Sequence, residues 1–315
     1  MLNAFLLRNG CLAQIPPTDL PRRLGEAVWA DLVDPSDEER AWVESQFEHP
    51  LPSADEVEEI EATARAFVTA TSVQVRSYFL VDLDGQLRNT TVVFTLSDNR
   101  LLTLRERDCP VFRLFRLRVQ RDAGLVGDAA SIMIALLELK LDGLADRLQE
   151  VHAGLERVAQ RVLQNRRTDL EPAIDELARY EQHNGTLRLC LTDSQRAVNF
   201  LLRRGRLSDA LAERGRELLR DIESLLPQNT FVFDKINFLM DAAQGFINIQ
   251  QNKIIKIFSV TAVIFLPPTL IASSYGMNFE FMPELSWPIG YPLALVMMVG
   301  SAVLPYWYFK RKGWL

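Results

Sequence analysis

The sequence predicts an α+β cytoplasmic head, a long α-helical stalk and two C-terminal transmembrane helices. Three observations predict it. Residues 257 to 315 carry only Glu280, Glu284, Lys310, Arg311 and Lys312 as charges, while residues 1 to 256 hold 32 basic and 39 acidic side chains. Two uncharged runs, Ile257 to Phe279 and Leu285 to Phe309, follow each other near the C-terminus. Ahead of them, short β-rich runs give way near Gly127 to long helical periodicity almost free of breakers. The expected layout is an α/β domain over 1–125, a long-helix hairpin region over 126–230, and a stalk helix over 231–276 whose part from about 257 to 276 lies in the membrane. An external loop (277–287), a second span (288–309) and a basic cytoplasmic tail (310–315) complete it.

In the head, AVWADLV, SVQVRSYFLVDLD, NTTVVFTLSDN and RLLTLRER read as strands, bounded by Asp34-Pro35, Asp84-Gly85 and Asp98-Asn99. Ser53 and Asp55 stand where an N-cap would, ahead of a helical run EVEEIEATARAF. Next come LLELKLDGLADRLQEVHAGLERVAQRVL and LEPAIDELARYEQHNGTLRLCLTDSQRAVNFLLRRGRL, two long amphipathic arms of a helical hairpin.

No proline falls between Pro227 and Pro267, so residues from about Phe231 to Tyr275 can form one helix. Read in heptads it carries one seam at Asp234, Asp241, Asn248, Ile255, Ala262 and Thr269, and an adjoining one at Phe238, Gly245, Asn252, Ser259, Leu266 and Ser273. A dry coiled-coil core wants Leu, Ile or Val there, with one Asn at most for register. Two aspartates and two asparagines suit a water-filled axis better, because a buried unpaired carboxylate costs several kcal/mol. Core seam and cation pathway both remain open on the stripe alone.

Each uncharged run is long enough to cross roughly 30 Å of hydrocarbon, and Trp287, Tyr291, Trp307 and Tyr308 mark their ends. Lys253 and Lys256 precede the first span and Lys310, Arg311 and Lys312 follow the second, so both termini are expected in the cytoplasm. These basic flanks also suit contact with lipid phosphates. MLNAFLLRNG has no secretory pattern, and Cys11, Cys109 and Cys190 are too scattered for a disulfide framework.

A net charge of −6 argues against a nucleic-acid binder. His49, His152 and His183 are isolated from any metal-ligand spacing, and no nucleotide, hydrolase or zinc-protease motif occurs, so an enzyme is not expected. The acidic run DPSDEER with SADEVEEIE could bind cations, but such a charge run is usually a solvated face.

Tyr275-Gly276-Met277-Asn278 stands at the outer end of the first span, followed by an FEFMPEL loop and, after the second span, an FKRKGWL tail. In that setting the chain resembles the CorA family of magnesium transporters, of the enterobacterial type. The likeness extends through WADLVDPSDEER, LTLRER, RDIESLLPQN and GFINIQQNKIIKIFSV, nearly the whole length.

The resemblance implies a funnel-shaped homopentamer in the bacterial inner membrane that moves Mg²⁺ inward, and also Co²⁺ and Ni²⁺, with Mg²⁺ as substrate and regulatory ligand and no covalent cofactor. It puts the ion filter on Gly276, Met277 and Asn278. Pore-lining positions fall on Asn252, Ile255, Phe258, Ser259, Ala262, Leu266, Thr269 and Ser273, with the apolar collar on either Phe258 or Ser259. Acidic funnel rings fall on Asp234 and Asp241, cation attraction in the loop on Glu280 and Glu284, and a regulatory metal ligand on Asp221. Pro267-Pro268 should bend the helix or free a carbonyl. Two rivals are a zinc transporter of the same fold, which would replace Met277, and a membrane-anchored sensor or scaffold, which leaves the stripe unexplained.

Overall fold

The computed structural model describes residues 1–8, 10–47, 50–53, 65–97, 99–122, 124–164, 170–278 and 282–314. It divides into two compact units, Met1–Met240 and Asp241–Leu315.

The first unit is built on one seven-stranded sheet of order β2-β1-β3-β7-β6-β5-β4. The strands are β1 (Leu2–Arg8), β2 (Cys11–Gln14), β3 (Trp29–Val33), β4 (Ala66–Val68), β5 (Ser72–Leu83), β6 (Gln86–Ser97) and β7 (Arg100–Arg105). Among the described residues only β3 and β7 pair in parallel. The longest pairing, β5 with β6, is set by its turn. Asp84 and Gly85, which both have positive φ, form the whole loop, since Leu83 already pairs with Gln86.

 The two values are 54° at Asp84 and 79° at Gly85, a two-residue turn whose twist matches the flanking strands. Asp82 Oδ1 accepts the Gly85 N–H at 2.9 Å and holds the turn closed.

Four strands were expected from β-branched patterning and all four form; β1, β2 and β4 are additional. The end of EVEEIEATARAF is a correction: Ala66 and Phe67 belong to β4, paired with Val75 and Gln74, because an open sheet edge beside them supplies hydrogen bonds that a helix end would leave unmade. Residues 54–64 of that stretch, with Asp55, lie outside the described residues, as do His49 and Asp98.

Aromatic rings fill the sheet's core. Trp29 is wholly buried, stacks on Phe5 at 4.6 Å and meets Phe115 edge-on at 5.6 Å. Its indole N–H donates to Thr103 Oγ1, which donates to Asp31 Oδ1. Asp31 in turn accepts two bonds from Arg105, at 3.2 and 2.7 Å, and both side chains are completely buried.

The helices are α1 (Leu20–Arg23), α2 (Asp37–Phe47), α3 (Pro110–Arg121), α4 (Ala129–Gln164), α5 (Glu171–Arg204), α6 (Asp209–Tyr275) and α7 (Gly290–Arg311). The expected hairpin arms are α4 and α5, which pack on each other, and α5 also lies against β5 and β6. A buried polar network ties these layers. Lys140 of α4 donates to Ser77 Oγ at 2.8 Å, Ser77 donates to Asp193 of α5 at 2.9 Å, and Arg65 donates to the other Asp193 oxygen at 3.0 Å.

The stalk helix differs from its expected start. It begins at Asp209, not Phe231, and Pro227 lies inside it. Pro227 is exposed, so the one backbone bond it removes leaves a carbonyl that water can reach, and the helix continues. Among the described residues, α6 and α7 are the two helices long and apolar enough to cross a membrane, and very little of either apolar stretch is buried within the chain.

Candidate functional site

The stripe read from the sequence lies on α6. Within the first unit, Val232, Ile236 and Leu239 are buried while Asp234 and Phe238 are exposed. At about 100° per residue the three buried side chains centre on the side of the helix opposite Asp234. Packing therefore turns Asp234 and Phe238 away from the buried side of the helix. Lys235, a candidate partner for Asp234, instead donates to Glu156 of α4, and this bond holds the Glu156 carboxyl below the usual range. Asp234 has no ion-pair partner among the described residues.

Within the second unit, Asp241, Gly245, Asn248, Asn252, Ile255, Ser259, Ala262, Leu266, Thr269 and Ser273 are all exposed, as is Phe258. Exposure does not separate faces here, because one chain covers little of the helix; the seven-residue phase carries the stripe. Ile255 and Leu266 are 61 % and 65 % exposed, apolar surface that a bilayer or further chains would have to cover. Thr269 Oγ1 donates to the Phe265 carbonyl at 2.7 Å, which leaves its oxygen lone pairs as acceptors. The helix runs on through Pro267 and Pro268 to Tyr275. Neither proline has an N–H, so the carbonyls four residues earlier, Val263 and Ile264, lose their helical donors.

At the end of α6 the Gly276 N–H donates to Ala272 O at 2.9 Å and to Ser273 O at 3.2 Å. Its φ is not in the left-handed region. The need for glycine is spatial: a Cβ would meet Ala272 O at 3.1 Å, tighter than most real contacts. Met277 and Asn278 are exposed, and the Asn278 amide has no hydrogen-bond partner among the described residues. Glu280 lies outside the described residues. Glu284 falls in a short 3₁₀ turn, Pro283–Ser286, with its side chain outside the description.

Asp221 sits on the exposed side of α6, next to buried Ile222. It adds to an acidic face that sequence reading missed. Burial raises the Asp142 carboxyl; Arg118 opposes this, and Asp146, Glu138 and Asp221 push it further up. Glu138, Asp142 and Asp146 recur every fourth residue, a spacing that places like charges together on one helix face and was visible in the sequence. Glu138 is neutralised by a two-pronged bond from Arg214, at 2.9 and 2.7 Å. Among the described residues no group of three or more His, Cys, Asp or Glu side chains within the chain could hold a metal ion.

The remaining reactive-looking groups are structural. Cys109 and Cys190 are buried, and burial pushes both thiols up to about 11, far from a reactive thiolate. His152 and His183 sit on α4 and α5. In the second unit the tail folds back: Trp314 stacks on Phe309 at 5.5 Å, and Lys256 Nζ stands 5.8 Å from the Trp314 ring.

A two-span membrane protein whose first spanning helix bears a polar stripe and ends at Gly276-Met277-Asn278 is the class that this fold and site define. The chain belongs to the CorA family: residues 25–311 match the family model described as CorA-like Mg²⁺ transporter protein. It is 48 % identical over 317 aligned positions to the magnesium transport protein CorA of Salmonella typhimurium, covering 100 % of both chains. The CorA protein of Escherichia coli is also 48 % identical, with the same coverage. Among solved structures, CorA of Methanocaldococcus jannaschii aligns over 100 % of this chain and 99 % of its own at TM-score 0.79 and 17 % identity. Full-length CmaX aligns over 99 % and 97 % at TM-score 0.74 and 17 % identity. At such identities these two likenesses speak to the fold alone.

Proposed function

We propose that the chain is one subunit of a homopentameric pathway for potential-driven Mg²⁺ influx across the bacterial inner membrane, which also passes Co²⁺ and Ni²⁺. The observation that carries the reading is the polar stripe repeating every seven residues on α6, whose Asp234 is exposed opposite buried Val232, Ile236 and Leu239. Copies of α6 around an axis turn that stripe into stacked rings of carboxylate, amide, apolar and hydroxyl groups. Met277 as written, and relatives named for magnesium, favour Mg²⁺ over a zinc carrier.

Mg²⁺ sheds water reluctantly, so the pathway works by holding the hydrated ion. Asn278 amide oxygens and the carbonyls near Gly276 accept from the hydration shell at the outer mouth, as the ion filter. Polar Asn252, Thr269 and Ser273 alternate with apolar Ile255, Ala262 and Leu266 along the pore, with the narrow collar at Phe258 or Ser259. Glu280 and Glu284 raise the local cation concentration outside. Asp234 and Asp241 do the same at the inner end. With both termini in the cytoplasm, a divalent ion gains about 4.6 kcal/mol per 100 mV on entry, so influx needs no nucleotide.

Cytoplasmic Mg²⁺ closes the pathway by bridging acidic faces of neighbouring subunits, with Asp221 and Asp142 as ligands. Dye-reported Mg²⁺ uptake into liposomes under an imposed potential tests the reading. Uptake that follows the potential is expected; a reconstituted protein that passes no Mg²⁺ in either polarity overturns it.

A further inference from the structure

The cleft between α4, α5 and the tip of the β5–β6 hairpin carries charge opposite in sign to the chain. The protein has a net charge of −6. Yet Arg147, Arg157 and Arg179 line this cleft of about 440 Å³, together with Tyr180 and His183. Asp82 and Glu150 line it too, but one arginine engages both. Arg147 bonds Glu150 at 2.8 Å and stands 3.9 Å from Asp82.

Arg157 and Arg179 are exposed and have no ion-pair partner among the described residues. Glu176, the carboxylate that feels both, is held by a hydrogen bond from Arg161, and the fields of Arg161, Arg179 and Arg157 lower it further. Tyr180 reaches the cleft through a notch: a Cβ on Gly154 would overlap its hydroxyl, so the close approach of α4 and α5 here requires glycine. The phenol O–H makes no hydrogen bond among the described residues, and the Arg179 guanidinium lies 5.8 Å from its own neighbour's ring.

Two unpaired guanidinium forks and an unused O–H donor therefore line one concave site. Arg157 stands on α4, and Arg179 and Tyr180 stand on the facing α5, so the free donors reach the cleft from two helices. Arginine forks match phosphate oxygens two at a time, and two forks on facing helices suit linked phosphates better than one. We propose that this cleft binds a soluble phosphate-bearing polyanion of di- or triphosphate size, with Arg157, Arg179 and the Tyr180 hydroxyl as its main contacts. Such a ligand would clamp α4 to α5. The site is independent of the ion pathway, since it draws on no residue of the stripe.

The test is calorimetric titration of sodium tripolyphosphate into the full-length protein in phosphatidylcholine nanodiscs, with EDTA present so that no Mg²⁺ contributes. Saturable binding is expected. The Arg157→Gln/Arg179→Gln variant should bind at least tenfold more weakly with an unchanged unfolding temperature in the absence of anion, and Tyr180→Phe should weaken binding by a smaller factor. Absence of binding by the wild type at millimolar tripolyphosphate overturns the proposal, and so does wild-type affinity in the double variant. If nanodiscs containing phosphatidylglycerol suppress the titration, the cleft is a lipid headgroup site and the soluble-anion proposal is wrong.

Discussion

Asn229 of α6 and Asn184 of α5 are bonded to each other reciprocally. Asn229 Nδ2 donates to the Asn184 side-chain oxygen at 2.7 Å and to its backbone carbonyl at 3.0 Å, while Asn184 Nδ2 donates to the Asn229 carbonyl at 3.1 Å. Both residues are buried. A slide of α6 along α5 by one turn would leave two amides desolvated and unpaired, so this pair fixes the register of the helix that carries the stripe. Asn184→Ala should destabilise the protein by about 1 to 3 kcal/mol, read as a lower unfolding midpoint. Asn184→Leu with Asn229→Leu should recover part of that loss, because no amide is then stranded; a double variant less stable than either single one would contradict the register account.

Asp31 and Arg105 form a second buried contact, inside the sheet. Removing Asp31 takes the wholly buried partner from Arg105 and leaves it only the half-exposed Asp108, a loss of about 3 to 5 kcal/mol. Asp31→Ala should therefore unfold the head at markedly lower urea concentration than Arg23→Ala, whose ion pair with Glu26 is on the surface. Equal losses in the two variants would refute the argument.

Asn278→Ala or Gly276→Ala should abolish Mg²⁺ uptake while the oligomer stays assembled. The first removes an amide ring, and the second forces the chain away from Ala272 O. Chemical cross-linking measures assembly alongside dye-reported flux, and normal uptake by an intact Asn278→Ala oligomer would remove the triplet from the filter.

Asp241→Asn should lower flux yet leave the preference for Mg²⁺ over Na⁺ unchanged. Rings of hydrated carboxylates concentrate cations without discriminating between them by coordination. Single-channel or flux ratios at matched potentials measure this, and an altered ion preference would move selectivity to the funnel.

The raised Asp142 carboxyl gives a prediction with a definite sign. Its folded-state pKa lies above the unfolded value, so the folded state holds the proton more tightly and this group's contribution to stability falls as pH rises through that interval. At neutral pH in EDTA, Asp142→Asn should thus raise the unfolding midpoint, and Mg²⁺ should stabilise the variant less than the wild type. Protection from protease by millimolar Mg²⁺ that is identical in wild type, Asp142→Asn and Asp221→Asn would rule out this acidic face as the closing site.

The sequence by itself determined two helices long and apolar enough to cross a membrane, the seven-residue repeat of polar residues on α6 and the four central strands. Each depends on local regularities: an uncharged run of membrane length, a seven-residue repeat, or β-branched residues between turn residues. It did not determine where α6 begins. Pro227 reads as a boundary, and only its exposure on a helix already anchored by Leu211, Leu218 and Ile222 allows the helix to pass through it. Nor did it determine which face of α6 packs within the chain: Val232, Ile236 and Leu239 are buried, on the side opposite Asp234. The same holds for Asn184 with Asn229, Asp31 with Arg105, and the arginines around Tyr180. The partners in the two pairs are 45 and 74 residues apart in the chain, and Arg157 comes 23 residues before Tyr180. No local pattern encodes such pairs, since what makes them worth forming is the exclusion of water, and only the folded chain excludes it.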